Sequence, residues 1–164
     1  MLFGFGLYIV IYLFDVNRLD MRSKTAMAFG SFDILHPGHI SYLRGASRYG
    51  KLTVVVARDN SIRKLKGRGP LVDEKSRLEI VGSLRFVHRA ILGDKIRKWN
   101  DIYKVVLRLR PDFLVFGYDQ KVDMKYLREF ILQHKLGCKI VKLGAYRATR
   151  YKSSKLKKLI NSIH

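Results

Sequence analysis

Two histidines, His36 and His39, flank Pro37 and Gly38 in the segment Gly30-Ser31-Phe32-Asp33-Ile34-Leu35-His36-Pro37-Gly38-His39. An apolar run ends at Phe29 just before this segment, and a helix-like run begins near Ile40 just after it. A small residue at a strand tip, followed by imidazoles at a helix start, is where an α/β protein holds a phosphate. Gly38 has no Cβ to keep a ligand away, and the first-turn N–H groups and dipole of the helix favour an anion. Each imidazole could donate a hydrogen bond to a phosphate oxygen and stabilise charge growing on a leaving pyrophosphate. Zinc is disfavoured, because an i, i+3 pair across a Pro-Gly turn is not the H-E-x-x-H pattern and no third ligand is nearby. No G-x-G-x-x-G follows the first apolar run, which argues against a dinucleotide cofactor held in the dehydrogenase manner.

The elements that must position these side chains are legible in order. Thr25 to Gly30 reads as a short buried strand, and Pro37 and Gly38 open a helix with Ile40, Leu43 and Ala46 inward and Gly50 as its stop. Leu52 to Ala57 is β-branched and almost continuously apolar, as a strand buried on both faces should be. Ser61 to Leu71 is basic and Gly-rich and reads as a mobile loop carrying Lys66. Asp73 caps a helix with Leu78, Val81 and Leu84 inward, and Phe86 to Leu92 is a third strand. Asn100 or Asp101 caps a helix with Ile102, Val105, Val106 and Leu109 inward, and Pro111 ends it.

Asp112 to Phe116 is a fourth strand, followed at once by Gly117-Tyr118-Asp119-Gln120. Asp123 caps a helix with Leu127, Phe130 and Ile131 inward, and Lys139 to Leu143 is a fifth strand. A last helix carries Leu156, Leu159, Ile160 and Ile163 on one stripe. Strands alternating with helices imply an α/β fold: a Rossmann-like, doubly wound, five-stranded parallel sheet in a single domain. Ligands of such sheets bind beyond the carboxyl ends of the strands. Ser31 to His39, Asp59 to Arg68, Tyr118 to Gln120 and Tyr146 to Ser154 should therefore face one crevice.

A chain of 164 residues suits one domain with a substantial core. Its 33 Lys and Arg against 13 Asp and Glu give a formal net charge of +20, a field that attracts polyanions. The single cysteine, Cys138, excludes an intramolecular disulfide and a cysteine metal cluster, and favours a cytoplasmic location. Met1 to Phe14 is apolar apart from Tyr8 and Tyr12. As a helix its 14 residues would span about 21 Å, short of the ~30 Å hydrocarbon core. With no basic region before it and no cleavage site after it, it is a poor signal peptide. Residues 1–24 are expected to be an extension before a domain at 25–164. Met21 is a credible true start, and a weak membrane anchor is the lesser alternative.

From about Thr25 onward the chain resembles the H-x-G-H nucleotidyltransferase superfamily in its cytidylyltransferase-like branch, most nearly the FMN adenylyltransferases of archaea that make FAD. SFDILHPGH carries the superfamily signature, and VVVARDNSIRKLKGRGP, the helix at Arg77-Leu78-Glu79-Ile80-Val81, AILGD at Ala90 to Asp94 and FGYDQ narrow it. The resemblance implies that Ser31, Phe32, His36, Pro37, Gly38 and His39 hold the phosphates of ATP. It further implies that Asp119 and Tyr146 complete the nucleotide site, that Lys66 steadies phosphates, and that Asp33 helps place Mg²⁺ or another divalent cation. Ser31 stands where threonine is usual, which keeps the hydroxyl. Lys152 precedes Ser153-Ser154 where related enzymes often carry serine or histidine, and residues before about 24 have no counterpart.

The implied reaction is transfer of AMP from ATP to FMN by in-line attack, with ATP and FMN as substrates and no covalent enzyme intermediate. Positioning and charge neutralisation suffice for such a transfer, so the lack of a Ser-His-Asp or Cys-His arrangement is no objection. The alternative acceptors are glycerol 3-phosphate or phosphoethanolamine in a cytidylyl transfer. A basic nucleic-acid-binding protein is the alternative of another class; against it, the basic residues show no interleaved aromatic platform. Nucleic acid and membrane are therefore disfavoured as partners, and a homodimer is left open.

Overall fold

The computed structural model describes residues 23–95, 101 and 103–146. Residues 1–22 of the N-terminal extension, Asn100, Ile102, Lys152, the Ser153-Ser154 pair and the expected last helix lie outside the described residues. Five strands alternate with helices, as the apolar runs require: β1 (Thr25–Gly30), β2 (Lys51–Val56), β3 (Arg89–Leu92), β4 (Phe113–Phe116) and β5 (Lys139–Lys142). The helices are α1 (Pro37–Ala46), α2 (Asp59–Lys66), α3 (Glu74–Gly82), α4 (Lys104–Leu109) and α5 (Met124–Gln133). All pairs in the sheet are parallel, in the order β3-β2-β1-β4-β5. The chain winds outward from β1 through β2 and β3, then returns to the other side of β1 for β4 and β5. The direction of winding therefore reverses between β1 and β4, which opens a crevice at their carboxyl ends.

Alternation along the strands divides the core into two layers. Ala26, Ala28, Val54, Val56 and Val115 face one side and meet Leu43 and Ala46 of α1 and Val81 of α3. Met27, Val55, Leu114 and Phe116 face the other side and meet Val105 and Val106 of α4 and Leu127 and Phe130 of α5. Sheets covered on both faces need apolar residues at successive positions, which is why these strands read as unbroken apolar runs. The amino ends are tied by Thr25, whose N–H and hydroxyl both donate to Asp112 Oδ2, at 2.8 and 2.9 Å. Gly50 ends the first helical stretch with φ 136°, and a Cβ there would lie 2.3 Å from the Lys24 carbonyl oxygen. Only glycine allows that crossing.

Three elements differ from the sequence expectation. Asp59–Lys66 is a helix rather than a mobile loop: Ser61 and Ile62 are buried, Asp59 sits in its first turn, basic residues fill its last turn, and Gly67 closes it at φ 69°. The charges and ends obey the helix rules even though the apolar stripe is thin. The third strand begins at Arg89, not Phe86, because Leu84 to Val87 forms a turn in which Val87 N–H donates to the Leu84 carbonyl. Helix α4 begins at Lys104, with Asp101 serving instead as an ion pair to the Lys104 ammonium at 2.9 Å. The caps at Asp73 and Asp123 are as expected, their carboxylates accepting from Lys75 and Ser76 N–H and from Tyr126 N–H respectively.

Candidate active site

Beyond the carboxyl ends of β1, β2 and β4 lies a cavity of about 810 Å³. It gathers Ser31, Phe32, His36, Gly38 and His39 from the β1 side. Lys66 at the end of α2, Asp119 after β4 and Tyr146 after β5 line the same space. Two sequence-predicted residues are not brought to it. Pro37 is exposed at the first position of α1, where its missing N–H and fixed φ suit a helix start. Asp33 is buried behind the loop, its Oδ1 accepting from the Leu71 and Val72 N–H groups at 2.7 and 2.9 Å.

The imidazoles are built into the helix start. His36 is the N-cap of α1, with Nδ1 accepting from Gly38 N–H at 3.1 Å. Its carbonyl accepts from His39 N–H at 2.9 Å and Ile40 N–H at 3.2 Å. Pro37 has no N–H, so the first-turn donors are satisfied within the turn. In the ligand-free turn these amides are engaged internally, and His36, Gly38 and His39 line the cavity at the head of the helix. The two rings stack with centroids 3.8 Å apart and planes 20° from parallel, and the Phe32 ring meets His39 edge-on at 5.3 Å. Phe32 reaches that place through a left-handed backbone, φ 49°, and folds its ring back over Gly30. A Cβ on Gly30 would lie 2.5 Å from Phe32 Cζ, so Gly30 is required by this contact.

Burial pushes the His39 pKa down to about 4, and the neighbouring His36 pushes in the same direction. Burial also lowers His36, opposed by the charge of Asp119. With Nδ1 of His36 accepting a backbone N–H, that imidazole carries its proton on Nε2 when neutral. Both rings are therefore neutral at physiological pH in the ligand-free protein. An anion bound beside them would raise the pKa of each, because an adjacent negative charge favours the cation.

The supports of the site include groups with no signature in the sequence. Arg77 of α3 is completely buried. Its Nε donates to the Val72 carbonyl at 2.8 Å, Nη1 to the Ser31 carbonyl, and Nη2 to the Ala57 carbonyl at 2.8 Å and Asp59 Oδ1 at 2.6 Å. Glu74 accepts from Arg58 Nη1 at 3.0 Å and caps α2 by accepting from Asp59 N–H at 2.9 Å. On the other flank Tyr42 of α1 donates to the Val115 carbonyl at 2.7 Å. Gln120 donates to the Phe29 carbonyl at 2.6 Å and accepts from Gly117 N–H at 2.7 Å. Burial raises the Tyr42 pKa, which keeps it a hydroxyl donor. Lys66 Nζ reaches across the cavity to Ser31 Oγ at 3.0 Å.

Among the described residues no three His, Cys, Asp or Glu side chains are grouped to hold a metal ion. Asp33, expected to help place a divalent cation, has its Oδ1 engaged by the Leu71 and Val72 amides and is not among the residues lining the cavity.

A parallel sheet whose order reverses beside paired imidazoles and a lysine defines a nucleotide-handling α/β protein. More narrowly, the chain belongs to the cytidylyltransferase-like family, which its residues 27–159 match. It is 41% identical over 135 residues to a FAD synthase of Methanothermobacter marburgensis, covering 80% of this chain and 81% of that protein. It is 46% identical over 121 residues to a FAD synthase of Aciduliprofundum boonei, covering 73% of this chain and 78% of that one. The crystal structure of a Thermoplasma volcanium protein described as a lipopolysaccharide core biosynthesis protein superposes with a TM-score of 0.68 at 43% identity, covering 75% of this chain and 98% of that one. Among the described residues no helix is long and apolar enough to cross a membrane.

Two outcomes follow from this geometry. Replacing Arg77 by Ala strands three carbonyls and a carboxylate, at a cost of about 3 to 5 kcal/mol. Arg77→Lys recovers little of it, since one ammonium cannot serve the whole fork; urea unfolding of the three proteins reads both effects. For His39 the folded pKa lies below the unfolded 6.5, so its contribution to stability is complete above pH 6.5 and is lost as pH falls towards 4. A His39→Gln protein should lack this loss, on the order of 3 kcal/mol. Urea midpoints of the two proteins at neutral and acidic pH test it, and parallel slopes would contradict it.

Proposed function

We propose that this protein is a FAD synthase that transfers AMP from ATP to FMN, releasing pyrophosphate. The observation that carries the reading is the cavity in which His36, His39, Ser31 and Lys66 converge, in a chain whose relatives at 41% and 46% identity are FAD synthases. His36 and His39 lie against the ATP phosphates at the head of α1. Ser31, which the resemblance sets with the ATP phosphates, is hydrogen-bonded to Lys66 at the β1 tip, and the pair lies where the ATP and acceptor phosphates meet. Phe32 and Gly38 shape the turn, Asp119 and Tyr146 contact the nucleoside, and Pro37 starts the helix that carries the imidazoles. A divalent cation, Mg²⁺ above all, would enter on the polyphosphate with its own waters, the usual mode for that ion.

A terminal oxygen of the FMN phosphate attacks the α-phosphorus of ATP. The new P–O bond forms as the bond from the α-phosphorus to the α,β-bridging oxygen breaks, and its electrons leave on pyrophosphate. No side chain is adenylylated on the way. The protein's work is to hold two anions in line and to place donors where charge grows on the leaving group. Neutral imidazoles suit this sequence of events, since they impose no fixed charge before ATP arrives and gain protons beside it. A cytosolic homodimer accords with the reading, and size-exclusion chromatography reports the assembly.

The deciding experiment incubates the protein with ATP, FMN and Mg²⁺, and in parallel with CTP and glycerol 3-phosphate. FAD and pyrophosphate should form in the first reaction only, and nucleotidyl glycerol in the second would overturn the choice of acceptor. His36→Ala and His39→Ala should each lower kcat by about 10²-fold or more, as removal of one transition-state donor does. ATP binding at neutral pH should take up protons, seen by calorimetry as heats that vary with the buffer's ionisation enthalpy. Heats independent of the buffer would refute the coupling of imidazole protonation to the polyphosphate.

A further inference from the structure

The cavity crosses the edge of the sheet, so its two halves have different walls. One half borders α1 and its imidazoles. The other borders the opposite face, where Phe116, Phe29 and Val55 stand side by side on β4, β1 and β2 and all line the cavity. Their register explains the row: Phe29 pairs with Val55, and Ala28 pairs with Val115, which sets Phe29 beside Phe116. The two phenyl rings are nearly parallel, 7° apart, with centroids separated by 5.7 Å. The row thus begins as an aromatic stack and then drops to the short Val55 side chain. Next to Val55 comes Gly93, also on the cavity wall, where a Cβ would lie 3.4 Å from Val55 Cγ1. A large side chain followed by a small one and then none leaves a slot above Val55, flanked by the Phe29 ring on the cavity wall. Ile62 and Leu65 of α2 border the same space, and Leu65 is 40% exposed despite being apolar.

We propose that this slot takes the planar ring of the acceptor, which stacks on Phe29 above Val55 and extends the Phe116–Phe29 stack by a third member, with Leu65 covering its outer edge. The inference rests on the reading of the site as a flavin nucleotidyltransferase and assigns residues that set its specificity for an aromatic acceptor over an alcohol phosphate. Position supports it: Ser31, beside the acceptor phosphate, follows Phe29 by two residues, roughly 7 Å along an extended chain. A ribityl chain of five carbons bridges a ring at one and a phosphate at the other. A glycerol phosphate would leave the apolar row unused. Parallel aromatic faces at such spacing favour a flat, electron-poor ring system.

Lumiflavin, the ring without ribityl chain or phosphate, is the probe. Its fluorescence should be quenched by the wild-type protein. Phe29→Leu, which keeps the wall but loses the face, should weaken lumiflavin binding about tenfold, the scale of one lost stacking partner. Gly93→Val, which fills the slot, should abolish it, and Leu65→Lys, on an exposed position, should weaken it without touching the core. Thermal melting shows whether each variant folds, and Leu65→Lys keeps the test decisive if the other two do not. In turnover, the KM for FMN should rise in the folded variants while the KM for ATP holds. Unquenched lumiflavin with the wild type, or variants that bind it equally well, would overturn the proposal. A wild type that binds lumiflavin through Phe29 but forms no FAD would refute the activity and leave the slot standing. FAD synthesis with an unchanged KM for FMN in the folded variants would do the reverse.

Discussion

One buried cation holds the crevice in shape. The Arg77 guanidinium has no exposure to solvent, and taking such a group out of water costs several kcal/mol unless each donor finds an acceptor. Here the acceptors come from four places that are distant in sequence: Ser31 after β1, Ala57 after β2, Asp59 at the start of α2, and Val72 before α3. Any displacement of one of these segments leaves part of the fork unpaired in a low-dielectric interior. The β1 tip, the β2 tip and α2 therefore move together or not at all. Ser31 and Lys66, which meet across the cavity, are both attached to that unit.

A second clamp works on the other flank of β1. The Tyr42 hydroxyl and the Gln120 amide bridge the main chains of Phe29, Val115 and Gly117. They close the β1 and β4 tips against each other just where the winding reverses. Between the two clamps lies the least relaxed backbone of the site, Phe32 in the left-handed region with its ring folded over Gly30. A non-glycine residue so placed costs on the order of 1 kcal/mol or more and persists only where its surroundings over-determine it. The ring's return is the edge contact that fixes His39.

The strands were legible because a two-sided parallel sheet demands residues that read as apolar runs, and Thr25–Gly30 is recovered residue for residue. The same signal misled at Phe86 and Val87, which are apolar because they cover the end of a core layer from within a turn. Helix α2 was missed because four of its eight residues, Asp59, Arg63, Lys64 and Lys66, are charged, although an acid at its start and Gly67 at its end were signals of a helix. The imidazole turn was legible as chemistry. Arg77 was not, because in a chain with 33 Lys and Arg a buried arginine is written with the same letter as a solvated one. Only the ring of carbonyls around it tells them apart. Tyr42 was hidden similarly, since its helix position predicts packing and says nothing of the Val115 carbonyl its hydroxyl reaches.

The distribution of charge resolves an apparent conflict in the site. A formal net charge of +20 draws anions from a distance, yet burial lowers the pKa of both imidazoles at the head of α1, and His36 lowers that of His39 further. Long-range attraction needs charges in water, where they carry no desolvation cost and where salt limits their reach. Local stabilisation needs donors in a dry wall, where a permanent cation would have to be balanced before any ligand came. Exposed lysines and arginines supply the first and neutral histidines the second. Lys66 joins the two regimes, being exposed on α2 while its ammonium reaches Ser31 at the β1 tip. In the proposed reaction, the cationic form of the imidazoles would belong to the occupied site alone, created by the anion that requires it.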